Sequence, residues 1–321
     1  LCLKVFLNLS ADCEAMHESY MRTALSLARK GAGKTSPNPM VGSVLVKRGK
    51  IIGKGYHHAA GKPHAEVEAL SQAGERADGS ILYVSLEPCC HWGRTPPCTD
   101  AIIKAGVKKV VVAMEDPNPQ VVGKGLKTLQ GAGIETSCGL LEVKARELNE
   151  AYIKHVTSGF PFVTLKAGMS LDGKISASSG ESRWITVEAS REHVHRLRAA
   201  SDAIMVGAET MLKDDPQLTT RLRKGKGRNP VRVVVDSRLR VPLTARIFQP
   251  GSDARVVVAT TGAADERKLE ALDAMEGATV LSLDGPAGRV NLPLLMRSLG
   301  EMSIISLLAE GGSEVNASLL Q

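Results

Sequence analysis

Aromatic residues are scarce in this chain, making up 3% of its 321 residues. A protein that binds single-stranded nucleic acid needs exposed rings for bases to stack on, so the scarcity argues against a nucleic-acid partner. It also leaves the cores to Val, Ile, Leu and Ala. Six cysteines in a chain of this length fall far short of a disulfide scaffold. Cys2, Cys13, Cys90 and Cys138 show no pairing pattern, and a reducing, cytoplasmic compartment fits that usage. No apolar run approaches the roughly 18 residues of a spanning helix, so no membrane partner is expected. The opening stretch Leu1–Leu7 is apolar but lacks a basic leader and a clean cleavage site, and so does not match a signal peptide. An acidic excess is missing too, since 41 Lys and Arg stand against 34 Asp and Glu for a formal charge of +7. That balance suits an ordinary basic protein as well as one with an anionic ligand, such as a phosphorylated metabolite or a dinucleotide.

What is present is ordinary globular material, 43% hydrophobic and 23% charged, in a chain about twice the length of a typical domain. Two domains are therefore expected. Asp12 is placed to cap a helix reaching about Lys30, and a hairpin follows with strands at Val41–Lys47 and Ile51–Tyr56. Helices are expected at His64–Ala73, Cys98–Ala105, Leu126–Gly131 and Leu141–His155, with strands at Ile81–Leu86, Val107–Met114 and Ile134–Cys138. Such alternation implies an α/β domain with a mostly parallel sheet between helices. The run Thr157-Ser158-Gly159-Phe160-Pro161 interrupts the pattern and marks a boundary, giving domains 12–157 and 162–321. Strands then recur near Phe162–Ala167, Ala203–Val206, Val231–Val235, Arg255–Ala259, Thr279–Leu283 and Ile304–Leu308. Helices fall near Glu188–Ala199, Asp265–Met275 and Leu292–Leu299. The chain stops soon after Glu310-Gly311-Gly312, short of the further helix and strand such a sheet usually carries, which implies an incomplete C-terminal end.

Three short segments carry chemistry in the first half: Pro63-His64-Ala65-Glu66, Glu87-Pro88-Cys89 and Pro96-Pro97-Cys98. Hydrolytic zinc wants three protein ligands and an open position for water, and one imidazole with two thiolates supplies them. A carboxylate two residues from the histidine, outside the ligand set, can carry a proton from water to a leaving amine. A purely structural zinc would use four protein ligands, and Cys90 beside Cys89 is the candidate for a fourth. Gly33-Lys34-Thr35 imitates the end of a phosphate loop. Ala28 stands where the first glycine is required, and a helix precedes where a strand is needed.

Cys89 and Cys98 are separated by eight residues, wider than the Cys-x-x-Cys of most zinc deaminases. Together with Ser36-Pro37-Asn38-Pro39-Met40-Val41-Gly42, Gly55-Tyr56-His57 and Gly93-Arg94-Thr95-Pro96-Pro97-Cys98, that spacing resembles the deaminase half of the bifunctional riboflavin-biosynthesis deaminase–reductases. The resemblance implies a cytidine-deaminase-like three-layer α/β/α domain in which His64, Cys89 and Cys98 hold one Zn2+ and Glu66 shuttles the proton. It implies that Asn38, His57, His91 and Arg94 contact the phosphorylated pyrimidine substrate. The resembling proteins commonly carry Ser at the Cys90 position.

Nothing in the second half matches a Gly-x-Gly-x-x-Gly turn after a strand, so a Rossmann domain is not supported. Instead, Lys166–Lys174, Ser182-Arg183-Trp184-Ile185-Thr186, Asp202–Thr210, Asp214–Arg221 and Glu310-Gly311-Gly312 resemble the reductase half of the same enzymes. That resemblance implies a dihydrofolate-reductase-like α/β domain that uses NADPH to reduce a ribosyl chain. It implies Lys166, Ser182, Arg198, Leu218, Arg221 and Glu310 for the substrate. For the cofactor it implies Ser170, Trp184, Gly207, Thr210, Asp215, Ser237, Gly311 and Gly312. Arg238 and Arg240 are candidates for the 2′-phosphate and equally for plain surface charge.

The competing readings are a nucleic-acid or nucleoside base deaminase with an appended α/β domain, and a non-enzymatic zinc-stabilised binding module. The few aromatics and the second-half motifs oppose the first. The three-ligand set with Glu66 opposes the second. A homo-oligomer is compatible with everything above.

Overall fold

The computed structural model describes residues 11–93, 95–176, 185–225, 227–249 and 254–320. The chain divides into two compact units, residues 1–158 and 159–321.

The first unit runs α1 (Ala11–Ala28), β1 (Gly42–Lys47), β2 (Lys50–Tyr56), α2 (Ala65–Ala73), β3 (Ile81–Val84), α3 (Cys98–Lys104), β4 (Lys109–Val112), α4 (Lys124–Gly131), β5 (Glu135–Cys138), α5 (Glu142–Leu148) and α6 (Glu150–Ser158). Its five strands are ordered β2-β1-β3-β4-β5. The sheet is mixed: β1 pairs antiparallel with β2 and β3, while β3, β4 and β5 are parallel. Neighbouring residues of a strand point to opposite faces, and β1 shows what each face holds. A Cβ on Gly42 would lie 2.1 Å from Ala24 O of α1, whereas the next residue, Ser43, donates its Oγ hydrogen to Ala65 O of α2 at 2.7 Å. Helices therefore cover both faces, and the layers are α/β/α. Leu45, Leu82, Val84, Ile102, Val110, Val112 and Leu129 form a core between sheet and helices.

Two expectations need correction here. Helix α1 begins at Ala11, so Asp12 lies in its first turn rather than at its cap. The single helix expected over Leu141–His155 is two helices separated by Asn149. Asn149 is buried, accepts from Met40 N at 2.8 Å and donates to Met40 O at 3.0 Å. Those two bonds to a distant backbone hold it outside helical geometry, with φ −112° and ψ 22°.

The second unit runs β6 (Phe162–Leu165), α7 (Glu188–Ala200), β7 (Ala203–Gly207), α8 (Ala208–Asp214), β8 (Val231–Val235), β9 (Val256–Thr260), α9 (Glu266–Asp273), β10 (Ala278–Ser282), α10 (Leu292–Glu301), β11 (Ser306–Ala309) and α11 (Ser313–Leu319). Its six strands are ordered β10-β9-β8-β7-β11-β6, and every pairing is parallel. A parallel sheet is buried on both faces. Along β7, Ile204 and Val206 join one core with Val234 and Val258, while Ala203 and Met205 join the other with Val233, Val257 and Leu307. Helices α8 and α11 were not expected from sequence.

Candidate active sites

In the first unit two helix starts converge on the end of β3. His64 is the residue before α2, extended at φ −76° and ψ 163°, and Cys98 is the first residue of α3. Cys89 lies between them in sequence. His64 Nδ1 is 3.2 Å from Cys98 Sγ and 3.5 Å from Cys89 Sγ, and Cys98 N donates to Cys89 Sγ at 3.3 Å. The donor atoms of all three residues lie within 4.8 Å of one another. Tetrahedral zinc, with bonds of about 2.0 Å to nitrogen and 2.3 Å to sulfur, asks for N···S separations of about 3.6 Å. The donor set fits that ion in kind and in spacing. Thr95 Oγ1 lies 3.4 Å from the other ring nitrogen, Nε2, and so helps orient the imidazole. Sequence reasoning quoted Thr95 only as part of a motif; its place three residues before Cys98 was the available signal.

The Cys98 side chain, aided by His64 and the Cys98 amide, holds the Cys89 thiol below its usual range. The same contact with Cys89, together with burial, pushes Cys98 the opposite way. The hydrogen bond to Cys89 raises His64. Two thiols facing one imidazole are a donor set from which a divalent cation can displace protons. Glu66, in the first turn of α2, is 3% exposed. Burial, reinforced by the Cys89 charge, pushes its carboxyl up to about 7. Among the described residues, its Oε2 has no hydrogen-bond partner.

Asn38 and His57 are brought together, with Asn38 Nδ2 3.1 Å from His57 Nε2. His57 Nδ1 lies 3.2 Å from Pro63 O. One tautomer satisfies both contacts, with Nδ1–H donating to the carbonyl and Nε2 accepting from the amide. Burial lowers the His57 pKa, which favours this neutral form. The His57 and His64 rings meet edge-on at 5.2 Å, so this pair adjoins the metal donors. His91 is exposed, and Arg94 lies outside the described residues. Asp116, which sequence reasoning missed, is buried and accepts from Tyr152 Oη at 3.0 and 3.1 Å.

In the second unit the parallel sheet gathers its candidates along one rim. Lys166 follows β6, Gly207 ends β7, Ser237 follows β8, and Glu310-Gly311-Gly312 follow β11. In parallel α/β sheets ligands bind at this carboxyl end of the strands. Arg198 reaches Glu310 with both prongs of its guanidinium, at 2.6 and 2.7 Å, and Lys166 Nζ lies 3.8 Å from the same carboxylate. Arg221 donates its backbone N–H to His195 Nδ1 at 3.2 Å, and burial followed by repulsion from Arg198 lowers its guanidinium pKa. His195 is a second residue that sequence reasoning passed over. Leu218 is 2% exposed in the apolar core. Its backbone, left-handed at φ 56°, rather than its side chain, is what it can offer a ligand.

Gly311 and Gly312 have φ of 153° and 81°, and a Cβ on either would stand 3.4 Å from Thr210 Oγ1. Thr210 and the two glycines thus form a bare backbone cradle between adjacent strand ends, which suits a pyrophosphate approached by N–H groups. Ser237 accepts from Val290 N at 3.1 Å through its Oγ. Asp215 Oδ1 accepts from Arg246 N at 2.9 Å. Ser170 sits in an exposed turn that accepts from Lys174 N. Arg240 is engaged by Glu209 at 2.6 Å. Ser182 and Trp184 lie outside the described residues.

A three-donor metal site with a buried carboxylate, followed by a parallel sheet with a glycine cradle on its rim, defines a deaminase joined to a nucleotide-dependent reductase. The family model for the cytidine and deoxycytidylate deaminase zinc-binding region matches residues 14–114, and that for the RibD C-terminal domain matches residues 161–321. The chain is 48% identical over 304 residues to the riboflavin biosynthesis protein RibD of Aquifex aeolicus, covering 95% of this chain and 83% of that protein. It is 45% identical over 316 residues to RibD of Escherichia coli, covering 95% and 84%. A solved structure of Acinetobacter baumannii RibD, form 1, matches with a TM-score of 0.85 at 42% identity, covering 96% of this chain and 84% of that one. A Thermotoga maritima diaminohydroxyphosphoribosylaminopyrimidine deaminase/5-amino-6-(5-phosphoribosylamino)uracil reductase matches with a TM-score of 0.82 at 41% identity, with the same coverage. The chain belongs to the RibD family of bifunctional deaminase–reductases of riboflavin biosynthesis. It is a hydrolase and an oxidoreductase, and its cofactors are zinc and NADPH.

Proposed function

We propose that residues 12–157 deaminate 2,5-diamino-6-ribosylamino-4(3H)-pyrimidinone 5′-phosphate, and that residues 162–321 then reduce the ribosyl chain to give 5-amino-6-ribitylaminouracil 5′-phosphate. The observation that carries the first step is the convergence of His64 Nδ1, Cys89 Sγ and Cys98 Sγ beside the buried, unpartnered Glu66 Oε2. In this reading those three residues hold zinc. The metal supplies the Lewis acid that makes water nucleophilic near neutral pH. Glu66 accepts the proton of that water at Oε2 and delivers it to the departing amine. Its elevated pKa suits a group that must take and give a proton in one turnover. Asn38, His57, His91 and Arg94 contact the pyrimidine or its ribose phosphate, and Arg94, a permanently charged fork, suits the phosphate.

In the second step the nicotinamide supplies the hydride. Lys166, Arg198, Arg221 and Glu310, with Ser182 and the Leu218 backbone, orient the phosphorylated chain. Ser170, Trp184, Gly207, Thr210, Asp215, Ser237, Gly311 and Gly312 line the cofactor. The clustering of Lys166, Arg198 and Glu310 supports this.

The proposal places both reactions on phosphorylated small molecules and not on nucleic acid or membrane. No helix among the described residues is long and apolar enough to cross a bilayer. Reduced ligand thiols suit a cytoplasmic setting, and a homo-oligomer is compatible with both sites. The test supplies zinc-loaded protein with the phosphoribosylated pyrimidine and NADPH, following ammonia release and loss of NADPH absorbance. Both signals are expected, ammonia first. Zinc-loaded protein that releases no ammonia would overturn the proposal.

A further inference from the structure

Glu87 is a buried carboxylate, 4% exposed, two residues before Cys89. Its backbone N–H donates to Met114 O at 3.0 Å, which fixes it where β3 leaves the sheet. Its side chain collects three backbone N–H groups from a single segment. Oε2 accepts from Asp116 N at 3.1 Å and from Gly123 N at 3.0 Å, and Oε1 accepts from Leu126 N at 3.1 Å. Gly125 lies within that segment, so close that a Cβ on it would stand 2.1 Å from Pro88 O. Residues 116–126 are thus wrapped onto Glu87 and Pro88. On the other side, Cys89 O accepts from Thr99 N at 3.2 Å, and Cys89 Sγ accepts from Cys98 N at 3.3 Å. The residue between these two grips is the one whose sulfur faces His64.

We propose that Glu87 is the positioning residue for Cys89: by tying residues 116–126 to the exit of β3, it fixes the backbone from which the Cys89 sulfur points at His64 and Cys98. This inference rests on the zinc assignment made above. The physical reason is that Cys89 follows a short strand on an irregular segment, whose freedom would otherwise spread the sulfur over several positions. A carboxylate that satisfies three buried N–H groups at once removes that freedom. An apolar residue there would leave the three donors unpaired.

The test uses full-length protein and compares Glu87→Gln and Gly125→Ala with the parent, with Cys98→Ser as control. The amide of Gln keeps the size of Glu but cannot accept at its nitrogen, so at least one N–H loses its partner. The Ala methyl pushes on Pro88 O from the opposite side of the same contact. Zinc affinity is measured by chelator competition, and the site is replaced with cobalt to read the thiolate charge-transfer and d–d bands. Both variants are expected to bind zinc about 10–100-fold more weakly, as disturbed support around metal ligands does. Their cobalt bands are expected to shift, while NADPH-dependent reduction of already deaminated substrate stays at the parent rate. A variant recovered only as aggregate is replaced by Glu87→Asp, whose shorter arm can reach only part of the three donors. If the variants hold zinc with parental affinity and unchanged cobalt bands, the inference fails, even if their melting temperatures drop. If Cys98→Ser keeps its zinc, it is the ligand assignment that fails.

Discussion

Truncating Arg198 to Ala leaves Glu310 behind as a buried carboxylate without its main partner. The two side chains are only 11% and 5% exposed, and two charge-assisted bonds of 2.6 and 2.7 Å join them. Breaking a buried pair from one side costs about 3–5 kcal/mol. Lys166, 3.8 Å from the same carboxylate, remains as a partial substitute, which places the cost near the lower end, about 3 kcal/mol. In a unit of roughly 160 residues each kcal/mol moves the melting temperature by about 2–4 °C, so a fall of about 6–12 °C is expected. Differential scanning calorimetry of the full chain measures it. Arg198→Lys keeps the charge but loses the planar fork, and should fall between Ala and the parent. Arg198→Met combined with Glu310→Leu removes both charges, and should melt near the parent, although it loses reduction. The reasoning is refuted if Arg198→Ala melts within about 2 °C of the parent, or if the double variant is no more stable than Arg198→Ala.

Glu66→Gln keeps the size of the side chain but cannot carry a proton, so deamination should fall about 10²–10⁴-fold while metal analysis still finds zinc. Near-parental turnover in that variant would show that another group moves the proton. Cys90→Ser should leave the zinc content unchanged and Cys98→Ser should abolish it, both by atomic absorption, and loss of zinc from Cys90→Ser would overturn the three-ligand set. Glu66→Gln should leave reduction intact when deaminated substrate is supplied, and Lys166→Ala with Arg221→Ala should stop reduction while the deaminated intermediate accumulates. Loss of both activities from either set, in protein still folded by circular dichroism, would sink the assignment of separate sites.

The convergent set of His64, Cys89 and Cys98 was legible because metal ligation restricts residue type so narrowly that one His and two Cys near a Glu stand out from the chain. Their convergence also needs little topology, since β3 and two helix starts bring them together. The rim of the second unit was different. Arg198 and Glu310 are separated by 112 positions, and only the parallel pairing of β7 with β11 makes them neighbours. Family resemblance pointed to both residues, but nothing in the sequence shows the ion pair. Helices α8 and α11, seven residues each, are too short for apolar periodicity to register. The break at Asn149 escaped for another reason. Asn is tolerated in helices, and what decides its conformation is a pair of bonds to Met40, 109 positions away. The burial of the Leu218 side chain in the core and its left-handed backbone were equally illegible in the sequence.

The placement of β11 between β7 and β6 has a consequence for synthesis on the ribosome. Among the described residues, strand β6 ends the sheet order and pairs with β11, and β11 is the last of these six strands along the sequence. The roughly 140 intervening residues take about 7–28 s to make at 5–20 residues per second. For that interval β6, with the apolar pair Phe162–Val163, lacks β11, the strand it pairs with among the described residues. A nascent chain stalled before Ser306 would carry an unpaired, sticky strand. Lys166, directly behind β6, would have no Glu310 to face. The cluster of Lys166, Arg198 and Glu310 on the rim is therefore completed only once synthesis has passed residue 310.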